Sequence, residues 1–196
     1  VPDPGRLPGL MIPGRRVRLV YSPGPKRTTD YSLVLVRHGA IWVSVYPAFA
    51  NKVVEKKLEG NNLSCLDGYK TFFREVKYRN SRFDFQLDFL DAKAFMEVKS
   101  VSFVEGGEGR FPDAPTQRGV KHLKELIDLR RKGYRSIVLF ISQRSDARSI
   151  TSNDEIDPIF GEWLRKARLA SVELYAYNCS VTKNTVSIKE QIPVNV

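Results

Sequence analysis

Ser136-Ile137-Val138-Leu139-Phe140-Ile141 is an almost unbroken apolar run, and it restricts the fold more than any other stretch of the chain. Six residues are too few for a helix, and without alternation neither face is suited to water. Such a run reads as a strand inside a sheet that is covered on both faces. Its flanks agree. Upstream, Val120, Leu123, Leu126 and Ile127 make one stripe over Thr116 to Lys132, with Thr116 as N-cap and Gly133 at C′. Downstream, Asp157 caps a helix over Pro158 to Ala170, Val172 to Asn178 returns as strand, and a short strand follows around Thr185 to Ile188. Helix, buried strand, helix, strand describe a mixed α/β sheet with helices packed on it.

Ahead of this, Asn51 to Leu58 has helical spacing and stops near Gly60-Asn61-Asn62. Tyr69 to Tyr78, Arg82 to Leu90 and Lys93 to Phe103 read as strands, the last two joined by a turn at Asp91-Ala92. The glycines and prolines between Glu105 and Pro115 predict a loop. Residues 1–13 are too rich in Pro and Gly for a regular element. Arg15 to Tyr21 alternates Val17, Leu19 and Tyr21 against Arg16, Arg18 and Val20, which predicts a half-buried strand with a basic outer face. After a turn at Ser22 to Arg27, Ser32 to Arg37 and Ala40 to Tyr46 form a hairpin around His38-Gly39. The expected organisation is a small β unit over residues 1–47 and an α/β domain over 48–196. The first has little apolar material of its own. Either it leans on the second, or further strands precede Val1.

Lys and Arg number 32 against 22 Asp and Glu, a net charge of +10, so polyanions, nucleic acid first, are the expected partners. No stretch approaches the roughly 20 apolar residues of a membrane span. The start has neither a secretory signal nor an initiator Met, which suggests a processed or truncated chain. Cys65 and Cys179 lie far apart and only two His are present. Zinc and disulfide frameworks are therefore not indicated, and two ordinary thiols of a cytoplasmic protein are expected. Any metal would be held by carboxylates, which favours Mg or Mn.

The carboxylates that invite this reading are Asp84 and Glu97. Glu97 and Lys99 share one strand face while Val98 points to the other, and the turn at Asp91-Ala92 folds Asp84 back towards them. A divalent ion on Asp84, Glu97 and the Val98 carbonyl would relieve carboxylate repulsion and activate a water, with Lys99 orienting it and Glu75 assisting. An ordinary solvent-facing strand also alternates in this way, and a surface Glu–Lys pair contributes little. Arg110 to Gly119 runs from a glycine-rich loop into a helix, where Arg118, Lys121 and His122 could hold a phosphate. Arg82 and the Arg144 loop after the buried strand are further phosphate candidates. The basic clusters Arg15/Arg16/Arg18, Lys26/Arg27, Lys56/Lys57, Arg130/Arg131/Lys132 and Arg165/Lys166/Arg168 form either a backbone-contacting track or scattered solubilising charge.

In order along the chain, Glu75-Val76-Lys77-Tyr78, Ser81-Arg82-Phe83-Asp84-Phe85, Glu97-Val98-Lys99, Phe111-Pro112-Asp113-Ala114, Thr116 with Arg118-Gly119, Lys121-His122-Leu123 and Gln143-Arg144-Ser145-Asp146-Ala147 resemble the sugar fermentation stimulation protein family, SfsA. Val1 to Leu7, Pro25-Lys26-Arg27-Thr28-Thr29 and Asn51-Lys52-Val53-Val54 resemble it too. The resemblance implies DNA binding, an N-terminal OB-like barrel that is only partial here, and a PD-(D/E)XK nuclease-like domain. It gives Asp84, Glu97 and Lys99 the acidic, acidic and lysine roles, with Glu75 a helper. On an OB-like surface Tyr31, Trp42 and Tyr46 are candidates for base stacking. Two functions stand side by side: a DNA-binding protein, for which the family's name implies a regulatory effect on sugar use, and a divalent-metal-dependent nuclease. A homodimer would join basic patches into one track.

Overall fold

The computed structural model describes residues 5–7, 9–25 and 27–196. Val1–Pro4, Pro8 and Lys26 lie outside the described residues, and with them the family-like first four residues and the Lys26 member of its basic pair. In chain order the elements are β1 (Val17–Tyr21), β2 (Tyr31–His38), β3 (Ile41–Ser44), α1 (Ala48–Glu59), β4 (Thr71–Tyr78), β5 (Ser81–Asp88), β6 (Lys93–Val101), β7 (Val104–Glu105), β8 (Glu108–Phe111), α2 (Gln117–Arg131), β9 (Arg135–Ser142), β10 (Ser149–Ser152), α3 (Pro158–Leu169), β11 (Glu173–Val181), β12 (Val186–Ile192) and β13 (Val194–Asn195).

The main sheet has the order β12-β11-β9-β6-β5-β4. Its centre, β6, β9 and β11, is parallel, and antiparallel strands close both sides. The apolar run is β9, and its side chains divide between two cores as the lack of alternation requires. Val138 and Phe140 meet α2 and α3 through Leu123, Leu126, Phe160 and Leu164. Ile137, Leu139 and Ile141 meet α1 through Val54 and Leu58 on the other face. Local chemistry sets the helix starts: Thr116 Oγ1 accepts from the Gly119 N–H at 3.0 Å, and Asp157 Oδ1 from the Phe160 N–H at 2.9 Å. A Cβ on Gly119 would sit 2.7 Å from Thr116 Cγ2 and 3.1 Å from the Phe160 ring, so the close approach of α2 to α3 requires glycine there.

Two sequence expectations are corrected. Glu105 to Pro115 is not all loop. β7 and β8 form a hairpin around Gly106-Gly107, and β8 joins β10 and β13 in a second, four-stranded sheet. The positive φ of both glycines makes the two-residue turn possible. β1 is a strand, as its alternation predicts, but every residue in it is exposed: β2 pairs with its edge, and among the described residues neither of its faces is buried.

The small N-terminal sheet β1-β2-β3 buries Leu7, Leu10, Leu33, Val36, Val43 and Val45 and leans on the larger domain through Gln143. That side chain is wholly buried; its Nε2 donates to the Tyr46 carbonyl at 3.1 Å and to Ser100 Oγ at 2.8 Å, while its Oε1 accepts from Ser44 Oγ at 2.8 Å. Gln143→Leu keeps the volume but leaves these groups unpaired. It should lower stability by about 2–3 kcal/mol, read as an earlier midpoint in urea; an unchanged midpoint would show that water replaces the amide.

Candidate functional site: a forked ladder beneath a cationic rim

Asp84 stands where two strand ladders break. Between β5 and β6 the register runs from Asp88↔Lys93 to Phe85↔Met96 and stops, so Asp84 and Glu97 face one another just past the last pair. Between β4 and β5, Arg74 pairs Phe85 and Val76 pairs Phe83, while Glu75 and Asp84 between them do not pair. Glu75 has φ +54°, a left-handed conformation that side chains adopt at some cost and that gathers at functional sites. The strand also changes layers here. Phe83 belongs to the core under α2 and α3, Phe85 to the core under α1.

Carboxylate chemistry fills the break. Asp84 Oδ2 accepts the Val98 N–H at 2.8 Å, in place of a ladder bond, and Oδ1 accepts from Asn51 Nδ2 of α1 at 2.6 Å. A residue's N–H and C=O point to the same side of a strand, so the Val98 carbonyl also turns into the fork. Glu97 is 3% exposed. Its Oε1 lies 2.8 Å from Lys99 Nζ and 2.5 Å from His122 Nδ1, whereas its Oε2 is buried without a partner. Burial pushes the Asp84 carboxyl up, and the neighbouring Glu97 charge adds to this, to about 6. For Glu97, burial acts upward too, but Lys99 and then His122 together outweigh it and hold its carboxyl below the ordinary range.

An unpartnered buried carboxylate oxygen beside a carboxyl pushed up by burial and by its neighbour's charge is an arrangement that a divalent cation would relieve. Among the described residues no three His, Cys, Asp or Glu side chains gather into a metal cluster. A cation here would rest on two carboxylates and a carbonyl, completed by water, a set suited to hard ions. Neither thiol competes. Cys179 is buried and its thiol is pushed up to about 12, and burial raises Cys65 as well.

The other sequence-predicted residues divide. Glu75, Arg82, Arg118 and Lys121 line one open cleft with Asp84 and Asn51, and all four are exposed. Arg82 lies 3.5 Å from Glu75, and Lys121 Nζ donates to the Asn80 carbonyl at 2.6 Å. Past Asp84 the cleft narrows between Pro47, Glu97, Lys99, Thr116 and Arg118. His122 lines the same cleft but is buried, packed against Glu97 and Phe83. Arg144 does not join the cleft. It is 2% exposed, and its guanidinium is taken by Asp146 at 2.6 and 2.7 Å and the Ser102 carbonyl at 2.9 Å, which corrects its assignment to phosphate. Of the expected stacking aromatics only Tyr31 is exposed; Trp42 lies under Arg37 and Tyr46 against Phe49. Asn51 was missed as a site residue, because its partner lies 33 residues away.

A mixed sheet that carries carboxylates and a lysine on a forked central strand, with a small OB-like β unit docked on it, defines the class. The chain belongs to the sugar fermentation stimulation protein family: residues 48–185 match its RE domain and residues 1–45 its SfsA N-terminal OB domain. The sugar fermentation stimulation protein homolog of Desulforamulus reducens is 44% identical over 197 residues, covering 100% of this chain and 82% of that protein. That of Geobacter sulfurreducens is 38% identical over 194 residues, 98% of this chain and 83% of that protein. The solved structure of Pyrococcus furiosus SfsA in complex with Ca2+ matches with a TM-score of 0.91 at 28% identity, covering 100% of this chain and 84% of that one.

Proposed function

We propose that the cleft binds a nucleic-acid strand, DNA first, against a divalent cation held by Asp84, Glu97 and the Val98 carbonyl. The observation that carries this is the unpartnered buried Glu97 oxygen at the ladder fork, in a narrow cleft that Asp84 and Arg118 share with the open one lined by Arg82 and Lys121. Cationic side chains at the rim attract and register phosphates without reading sequence, and the net charge of +10 favours the encounter. The Ca2+ in the P. furiosus relative supports a hard, oxygen-ligated ion; Mg or Mn would suit the same donors.

A second reading, phosphodiester hydrolysis, is favoured by Lys99. A bound divalent ion would polarise the phosphodiester and lower the pKa of a water ligand. Lys99 and His122 keep Glu97 ionised, Asn51 and the Val98 N–H fix the Asp84 oxygens, and Lys99 sets a positive charge at the floor of the cleft. Glu75 stands at its mouth.

Labelled single- and double-stranded DNA, offered with Mg or Mn and then with a chelator, tests both. Hydrolysis predicts metal-dependent products from the wild type that fall by about a thousandfold in Asp84→Ala and Lys99→Ala. Salt-dependent binding without products would leave a binding protein on a nuclease-like scaffold. Neither binding nor products would overturn the proposal.

A further inference from the structure

Away from the cleft, the C-terminal halves of α2 and α3 bound an open groove. Lys124, Arg130, Arg131 and Lys166 surround a floor of Ile127 and Trp163, and no residue lining it is acidic. Lys124 and Lys166 set their ammonium groups 4.6 and 4.7 Å from the Trp163 ring centre, and Leu169 at the margin is 86% exposed. Lys166 also pairs with Glu162 at 2.6 Å. Arg131 makes no side-chain hydrogen bond or ion pair among the described residues. Basic residues at a helix C-terminus are favoured by the dipole alone, but the dipole explains neither the indole between them nor the exposed leucine.

The groove and the site lie at successive stretches of α2. Arg118 and Lys121 line the cleft, Lys124 and Arg131 line the groove, and all four are exposed. Lys121, Lys124 and Arg131 fall three and seven residues apart, on one helix face. Two acids share that face. Asp128 is already engaged: it accepts from Tyr78 at 3.0 Å and lies 3.1 Å from Arg79 and 3.2 Å from Lys132. Glu125 is half-buried, with one carboxylate oxygen shut off from solvent. From Arg118 to Arg131 the ridge is about 20 Å long at the rise of an α-helix.

Resting on the proposed cleft function, we infer that this groove is a second contact for the same ligand, taking a single-stranded stretch of nucleic acid that runs out of the cleft along α2. A duplex offers the groove only phosphates, whereas an unpaired strand offers phosphates to the cations and base faces to the apolar floor and indole. Positive charge beside an aromatic platform is the combination that grips single strands without sequence preference.

Fluorescence anisotropy with single-stranded oligonucleotides of about 3 and about 20 nucleotides brackets the roughly 4–16 that one such groove covers. Lys124→Ala/Arg131→Ala, at two exposed positions, should weaken the long strand by about tenfold and leave the short one within about twofold. Trp163→Phe, which retains packing, should weaken the long strand by about threefold. Equal loss at both lengths, or none, would overturn the groove contact. So would an equal effect of the variants on a duplex of the same length, or competition by polyglutamate as strong as by DNA. Arg118→Ala/Lys121→Ala separates the two ideas: it should weaken both lengths, and if it changes neither, it is the cleft reading that fails.

Discussion

Lys99→Met should destabilise the metal-free protein by about 3–5 kcal/mol, because it removes one partner of a buried charge pair. Glu97 is 3% exposed, and among the described residues its Oε1 lies against Lys99 Nζ and His122 Nδ1. Methionine keeps much of the stem and deletes the charge, so the loss is electrostatic. Glu97 has a folded-state carboxyl held low. Its stabilising contribution is therefore present above the ordinary glutamate value of about 4.3 and disappears as pH falls through the lower folded value. The variant should lose that contribution at neutral pH. Urea unfolding at pH 7 in chelator measures the effect, and adding Ca2+ should raise the variant's melting temperature more than the wild type's, since a cation replaces the missing charge. A variant as stable as the wild type would show that His122 alone holds Glu97.

Asp84→Asn is expected to act in the opposite direction on stability while abolishing cation binding. The Asp84 carboxyl is pushed up to about 6 by burial and by Glu97. The folded protein thus holds the proton more tightly than the unfolded chain, whose aspartates titrate near about 3.9. As pH rises from about 4 to about 6 this group withdraws stability, up to the order of 3 kcal/mol, and the penalty stays in full above that range. Asparagine is neutral throughout and can still accept the Val98 N–H. The metal-free variant should consequently match or exceed the wild type above about pH 6 and lack its slope between about 4 and 6. Its melting temperature should no longer respond to Ca2+ or Mg2+. A variant that is less stable at every pH would mean that Asp84 is held by hydrogen bonds worth more than the repulsion it suffers.

How far the sequence carried these conclusions depended on whether a feature was local. Thr116 and Asp157 announce their helices because a cap bonds its own first turn, and β9 announces the sheet because its apolar run leaves no face for solvent. That Asp84 and Glu97 face one another beside Lys99 was legible through strand period and one tight turn. The second sheet was not: Ile150 pairs with Gly109 and Val194 across parallel links, and strands of two to four residues carry no periodic signal. β1 shows the complementary failure. Alternation separates two faces but does not say whether anything covers either of them. Arg144 looked available because charge in a loop suggests solvent, although Asp146 two residues on was the sign of its partner. The φ of Glu75 and the Asn51 bond to Asp84 belong to the assembled sheet alone, and no window of sequence contains them.

The change of layer at Asp84 bears on how readily the fork accepts a ligand. With Phe83 anchored in one core and Phe85 in the other, the backbone between them cannot slide or rotate without disturbing packing above and below the sheet. The side-chain oxygens are further tied to two different elements, helix α1 through Asn51 and strand β6 through Val98. Most of the ordering that a metal ion usually imposes on its ligands has therefore been met during folding. A cation at the proposed site would then require little more than deprotonation and the exchange of water, because the carboxylates are preorganised.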